Sequence, residues 1–270
     1  MKLENKVVML TGAASGIGRA LAIELSALNC ELALIDRDEF GLNETLSLLS
    51  DNAQKTTSHI CDLSVASEVK SLSQHVLSEH ERIDILINNA GVAIGGSFEQ
   101  VSEVDFDWLM RINFDAPVSL IRSLLPTMRQ NGKQAKIVNI SSLYGLISPP
   151  GQTAYCASKF ALRGFSNALR HELKDGNVSL LVVHPGGIAT SIAKNAKAPA
   201  NVTRTEIERQ RKLMNSLLRM PPTKAATQII NAIKNDRARL LIGFDAKFVS
   251  IIERLMPVSY WPIIEKLMKR

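Results

Sequence analysis

Residues 6–28 read KVVMLTGAASGIGRALAIELSAL, and the fold turns on this stretch. Lys6 to Leu10 is a short apolar, β-branched run of the kind that forms a buried strand. Thr11 to Gly18 follows, with glycines at 12, 16 and 18. From Arg19 to Leu28 the apolar residues Leu21, Ala22, Leu25 and Leu28 recur at helical spacing. Strand, glycine turn and helix in that order bring free backbone N–H groups and the positive end of a helix dipole to one point, where a pyrophosphate binds well. The spacing Gly12-x-x-x-Gly16-x-Gly18 differs from the common dinucleotide fingerprint by one residue in the turn. Ser15 is the free polar position within it.

The chain outward from this unit keeps alternating. Glu31 to Ile35 is a second apolar run and ends in Asp36, close to the ~20 residues past the glycines at which a carboxylate takes the adenosine ribose. A carboxylate there repels a 2′-phosphate, which favours NAD over NADP. Arg37 pulls the other way, because a guanidinium pairs with phosphate. The structural alternative for Asp36 is a strand-end cap. Further strands are predicted at Thr56–Cys61, Ile83–Ile87, Lys136–Ile140 and Val178–His184. Helices are predicted at Leu42–Leu49, Ser64–Glu79 (with Val65 on the apolar side), Glu103–Met128, from about Ala154 through Leu169, and Lys224–Ile233. The fourth strand runs into Asn88-Asn89-Ala90-Gly91, small and amide residues suited to close passage of a ligand. Asn113 is a polar residue inside a helical apolar pattern, an unfavourable placement that asks for a reason. Pro117 is expected to kink that helix.

Residues 142–159, SLYGLISPPGQTAYCASK, carry the chemistry. Tyr155 and Lys159 sit one helical turn apart on one face. A phenol loses its proton near pH ~10, and an adjacent ammonium is expected to lower that value towards the range useful for acid–base work. Ser142, at the end of a strand, is placed to hold a substrate oxygen.

The chain has 270 residues with 46% hydrophobic and 21% charged, enough for one large core of ordinary globular composition. The net charge of +6 is concentrated after Lys194 without interleaved aromatics there, so nucleic acid is a poor partner. Cys30, Cys61 and Cys156 are odd in number and lack metal-ligand spacing; they read as buried thiols of a reducing, cytoplasmic compartment, with no metal site. Cys156 adjoins Tyr155, where packing explains it better than reactivity. No apolar run approaches the ~20 residues of a membrane span, and Val7 to Leu10 is too short for a signal peptide core.

Together the ordered pieces Thr11-Gly-x-x-x-Gly-Ile-Gly18, Asp62, Asn88-Asn-Ala-Gly91, Asn113, Ser142, Tyr155-x-x-x-Lys159 and Pro185-Gly-x-x-x-Thr190 resemble the short-chain dehydrogenase/reductase family in its short form. The resemblance spans residues 6 to 190. It implies an α/β Rossmann-type fold: a doubly wound, mostly parallel, seven-stranded sheet with helices on both faces and a ligand at the carboxyl ends of the strands. It implies Tyr155 as general acid/base, Lys159 as the residue that lowers the tyrosine pKa and holds the nicotinamide ribose, Ser142 as the group positioning the substrate oxygen, and Asn113 as holder of a water in a proton relay. Gly12, Ser15, Gly16, Ile17 and Gly18 are then expected to cradle the pyrophosphate, and Asp36 (with Arg37 beside it) to take the adenosine ribose. Asp62 and Leu63 take the adenine, Asn89, Ala90 and Gly91 the ribose side, and Pro185, Gly186, Ile188 and Thr190 the nicotinamide. Family members pair through two long helices, here near 103–128 and 154–173, so a homodimer or homotetramer is implied.

The expected organisation is one domain over 1–270, with 191–222 as a substrate cover and 245–270 as a C-terminal amphipathic helical extension. The cover is basic (Lys194, Lys197, Arg204, Arg209, Arg211, Lys212, Arg219), which reads as a solvated face or as attraction for an acidic partner. The extension, with Tyr260 and Trp261, reads either as packing over the substrate pocket or a partner subunit, or as peripheral contact with a membrane surface. The function expected is hydride transfer between NAD(H) and an apolar secondary alcohol or ketone: lipid-, steroid- or retinoid-like, or a medium-sized alcohol. A 3-oxoacyl-carrier reductase is the enzymatic alternative, which Asp36 disfavours. A non-catalytic dinucleotide-binding regulator is the alternative of another class, which the full set Asn113, Ser142, Tyr155 and Lys159 disfavours.

Overall fold

The computed structural model describes residues 1–50, 54–199, 202, 203, 205, 207–209, 211, 212 and 218–268. Its elements run β1 (Val7–Thr11), α1 (Gly16–Ser26), β2 (Glu31–Asp36), α2 (Glu39–Ser47), β3 (Thr56–Ile60), α3 (Ala66–His80), β4 (Ile85–Asn88), α4 (Glu103–Met110), α5 (Ala116–Gln130), β5 (Ala135–Ile140), α6 (Thr153–Glu172), β6 (Val178–Pro185), α7 (Pro222–Lys234), β7 (Arg239–Ile242), α8 (Phe244–Leu255) and α9 (Tyr260–Met268). The strands form one sheet in the order β3-β2-β1-β4-β5-β6-β7. All six ladders are parallel, so the sheet is wholly rather than mostly parallel among the described residues. Chain order reverses between β1 and β4, which opens a crevice at the carboxyl ends of the strands.

The central strands are continuous apolar runs because both faces are covered. In β1, Val8 and Leu10 join a core with Leu21 and Leu25 of α1 and Ile229 and Ile233 of α7. Val7 and Met9 point the other way, into a second core with Val69 and Val76 of α3, Leu120 and Leu124 of α5, and Leu169 of α6. The edge strand β3 (TTSHI) is more polar and more exposed, as its single neighbour permits.

The helix expected over 103–128 is interrupted. Arg111–Asp115 forms a π-helical turn between α4 and α5, with Asn113 fully buried in it. Pro117 has no N–H to give the carbonyl of Asn113, so the ordinary helical bond cannot form there. The wide turn precedes the proline, and the proline opens α5 at a position that suits it. Val65 is also displaced from its expected place: it caps α3 from outside and is exposed. Of the basic residues of the cover, Arg204 lies outside the described residues.

Candidate active site

The cradle begins where β1 ends. Gly12 has φ +71, in the left-handed region, and a Cβ there would lie 2.8 Å from the Ala90 Cα. A Cβ on Gly18 would lie 1.9 Å from the Gly12 carbonyl oxygen, so α1 packs against the turn only with glycine at 18. Asn89 pins the turn from β4: its Nδ2 donates to the Thr11 carbonyl at 3.0 Å and the Gly12 carbonyl at 3.1 Å. Thr11 Oγ1 accepts from the N–H groups of Asn89 and Ala90, both at 3.1 Å. Ser15 is the N-cap of α1 and makes no side-chain cap bond, which leaves the first-turn N–H groups facing the crevice without a side-chain acceptor.

Asp36 closes β2. Its Oδ2 accepts from the Ala14 N–H at 3.0 Å and its Oδ1 from the Asp38 N–H at 3.1 Å. It therefore caps locally and still lines the crevice, because each carboxylate oxygen retains a lone pair. Arg37 is exposed at the rim. Asp62 and Leu63, half-buried, line the same end.

The chemistry-bearing side chains converge next to the cradle. Ser142 follows β5, and its Oγ accepts from the Tyr144 N–H at 3.1 Å in a short 3-10 turn, Leu143–Gly145. Tyr155 and Lys159 lie on α6, both buried. Lys159 Nζ is 5.7 Å from the Tyr155 ring centroid and donates to the Ile140 carbonyl at 3.1 Å. Tyr144 meets the Tyr155 ring edge to face at 6.0 Å. A Cβ on Gly91 would stand 3.3 Å from both Lys159 Nζ and Asn113 Oδ1, so both groups border this glycine. Three bonds hold the side chain of Asn113: Oδ1 accepts from Val92 N–H at 2.9 Å, and Nδ2 donates to the Val92 carbonyl and Ser158 Oγ, each at 3.0 Å.

The electrostatics differ from the sequence expectation. Burial pushes the Tyr155 phenol up to about 12, with a hydrogen bond to Ser142 pulling back and neighbouring Cys156 adding to the rise. Burial pushes Lys159 down to about 8. Both groups are withdrawn from water, which disfavours each charged form. The ammonium is directed at a backbone carbonyl rather than at the phenol oxygen, so the expected lowering of the tyrosine by the lysine does not dominate. Burial likewise raises Cys156 to about 11, in keeping with a packing thiol.

These walls enclose one cavity of about 1110 Å³. Gly12, Ser15, Gly16, Ile17, Asp36, Arg37, Asp62, Leu63, Asn89, Ala90 and Gly91 line one half, and Ser142, Tyr155, Lys159, Pro185, Gly186, Ile188 and Thr190 stand at its waist. Gly18 and Asn113 lie behind the wall and shape it. The rest of the lining is mixed: Gln152, Asn195, Lys197, Arg211 and Asp245 share it with an apolar group. Ile147, Val249 and Ile264 form a small core with Leu143, Tyr144, Tyr260 and Trp261, so α8 and α9 roof the pocket. The roof is fastened by Tyr260, whose Oη accepts from the Ser148 N–H at 2.8 Å. Packing over the pocket is thus the outcome for α9.

Three residues not singled out in the sequence complete the site. Asp245, in the first turn of α8, accepts from the Gly187 N–H at 2.7 Å, and its carboxylate fills the space a Cβ on Gly186 would take, 2.2 Å away. The glycines at 186, 187 and 243 are the only sequence trace of that wedge. His184, buried in β6, donates from Nδ1 to the Ser142 carbonyl at 3.0 Å. Trp108 receives the cover: Lys197 Nζ lies 3.9 Å above its ring and 2.8 Å from Asp105 Oδ1, while the Lys197 backbone bridges to Ile94. That pairing holds the Asp105 carboxyl below its ordinary range, so this cover lysine, though exposed, is also a fastener.

Known proteins share the sequence pattern and the fold. The short chain dehydrogenase family matches residues 6–201. SadH of Mycobacterium tuberculosis is 36% identical over 266 residues, covering 97% of this chain and 94% of that protein, so the likeness reaches into the cover and the extension. A short chain dehydrogenase/reductase of Burkholderia phymatum, solved in complex with NAD, superposes with TM-score 0.87 at 28% identity over 94% of each chain. A metagenomic short-chain oxidoreductase in complex with NADP gives TM-score 0.65 at 34% identity, covering 70% of this chain and 85% of that one. With a glycine cradle on β1, a Ser142–Tyr155–Lys159 cluster at the waist and a match over most of its length, the chain belongs to the short-chain dehydrogenase/reductase family.

Proposed function

We propose that the chain is an NAD-linked dehydrogenase/reductase of an apolar secondary alcohol or the corresponding ketone. The observation that carries this reading is a single cavity holding the glycine cradle at one end, Ser142, Tyr155 and Lys159 at its waist, and apolar side chains at the other. The cradle fits a dinucleotide: the positions where Cβ atoms would block it are glycine, and first-turn N–H groups of α1 face into it. The bound nicotinamide supplies or accepts the hydride.

The chain's own residues govern the proton and the geometry. With its pKa held up to about 12, Tyr155 is a neutral donor at pH 7 and hands its proton to a carbonyl oxygen in the reductive direction. Ser142 Oγ, fixed by Tyr144 and backed by His184 on its carbonyl, donates to the same oxygen as charge develops there. Lys159, near half-ionised at pH 8 and 5.7 Å from the Tyr155 ring centroid, stabilises the phenolate left behind through its charge, and the phenol recovers its proton from solvent. Asn113 keeps the Val92 backbone and the helix around Ser158 in register with Lys159. Asp36 at the ribose end supports NAD over NADP, as a carboxylate repels a 2′-phosphate. The roof of Ile147, Val249, Trp261 and Ile264 supports an apolar substrate.

The test is nicotinamide absorbance with purified protein, NAD or NADP, and alcohols and ketones graded by length and ring number. Tyr155→Phe should bind the dinucleotide normally and lose roughly 10²–10⁴ in kcat. Equal turnover by the variant, or turnover confined to short charged substrates, contradicts the proposal.

A further inference from the structure

The outer face of α8 is apolar and uncovered. Phe244, Phe248, Ile251 and Leu255 recur at i, i+4, i+7 and i+11, which places them on one stripe. They are 81%, 40%, 60% and 75% exposed, and Val258 in the following turn is 93% exposed. Ala246 and Val249, on the opposite side, are buried, so the helix has already spent one apolar face on the core. The Phe244 and Phe248 rings stack at 5.9 Å.

One flank of this stripe is basic. Lys247 and Arg254 share a row with Ser250 at i, i+3 and i+7. Ser250 holds Arg239 of β7 through a 3.1 Å hydrogen bond to its Oγ. Burial disfavours the Arg239 charge, and the guanidiniums of Arg163 and Arg254 add to this, with Glu253 opposing them. Like charges gathered along an apolar stripe call for an anionic partner. Phe244 belongs both to the stripe and to the wall of the substrate cavity, so the apolar surface runs on into the pocket.

We infer that the stripe of α8 and the turn at 256–258 dock onto an anionic membrane surface, with the stripe among the acyl chains and the basic flank among the headgroups. The helix has 12 residues, and no described helix is long and apolar enough to cross a membrane, so it lies on the surface. A second copy of the chain fits less well, because its own basic flank would be brought to the same contact. Acidic headgroups neutralise that flank, and a lipid surface supplies the apolar substrates the neighbouring cavity accommodates.

The test is flotation of the full chain with phosphatidylcholine vesicles and with vesicles containing phosphatidylserine, alongside solution mass by light scattering. The wild type should float with the phosphatidylserine vesicles only, and added salt should release it. Lys247→Gln/Arg254→Gln should weaken partitioning by about 5-fold per removed cation. Phe248→Glu/Leu255→Glu should abolish it, and Leu255→Glu alone, at a side chain 75% exposed, should weaken it with the unfolding midpoint unchanged. Flotation with neither vesicle, equal flotation with both, or an undiminished Lys247→Gln/Arg254→Gln variant overturns the inference. So does a wild type that ignores vesicles and falls from dimer to monomer with Phe248→Glu/Leu255→Glu, which would assign the stripe to a second copy. None of these readings requires turnover.

Discussion

Lys159 is held where its ammonium is poorly hydrated, and this has a measurable sign. The unfolded lysine titrates near 10.5 and the folded one near 8. Below pH 8 both states are protonated and the folded state bears a buried charge. Between those values the unfolded chain holds a proton the folded chain has lost, so this group's contribution to stability rises with pH across the window. Lys159→Met should abolish turnover yet raise the unfolding free energy at pH 7 by on the order of 2–3 kcal/mol, with the gain shrinking as pH approaches 10. Urea unfolding at several pH values reads it, and a pH-independent difference contradicts it. His184 is pushed down to about 4 from 6.5, chiefly by burial. Its share of stability is present above 6.5 and is lost as pH falls towards 4. His184→Asn should flatten that acid limb, and if the bond to Ser142 positions the serine, the variant should also lose kcat more than KM.

At the scale of elements, the strand–turn–helix at 7–26 bears the tightest packing. Gly18→Ala drives a Cβ into the Gly12 carbonyl, so α1 must move off the sheet. The expected result is loss of dinucleotide binding by calorimetry with a destabilisation of roughly 1–3 kcal/mol; normal binding would show that the turn yields more easily than its geometry indicates. This unit was legible because its signals are local: a doubly buried strand is a plain apolar run, and glycine spacing marks the turn. The site motifs were legible for the same reason, since Tyr155 and Lys159 are one turn apart in sequence and in space. What was not legible is tertiary. Asp245 reaches Gly187 across 58 residues, His184 hides in an apolar strand, and the pKa directions of Tyr155 and Lys159 come from burial by the whole fold. The π-helical turn at Asn113 left a trace in Pro117, but a missing N–H signals only a distortion, not its kind or its side.

Across the whole molecule the cavity has two ends with different makers. The glycine-turn end is built from the first four strands, and Asp36 is a carboxylate in its wall. Asp36→Ser should raise the NADP-to-NAD ratio of kcat/KM by roughly tenfold or more through loss of like-charge repulsion, while Arg37→Ala should lower it; an unchanged ratio for both variants would place the selectivity elsewhere. The substrate end is closed by Val249, Trp261 and Ile264, contributed by α8 and α9. Tyr260→Phe removes the acceptor for the Ser148 N–H. Loosening that roof should raise KM about 3- to 10-fold with kcat little changed. The origin of the roof also sets an order in time. Chains are made from the amino end and fold as they emerge. The glycine turn, Tyr155 and Lys159 therefore leave the ribosome before Val249, Trp261 and Ile264, and the waist of the cavity waits on the last two helices for its roof.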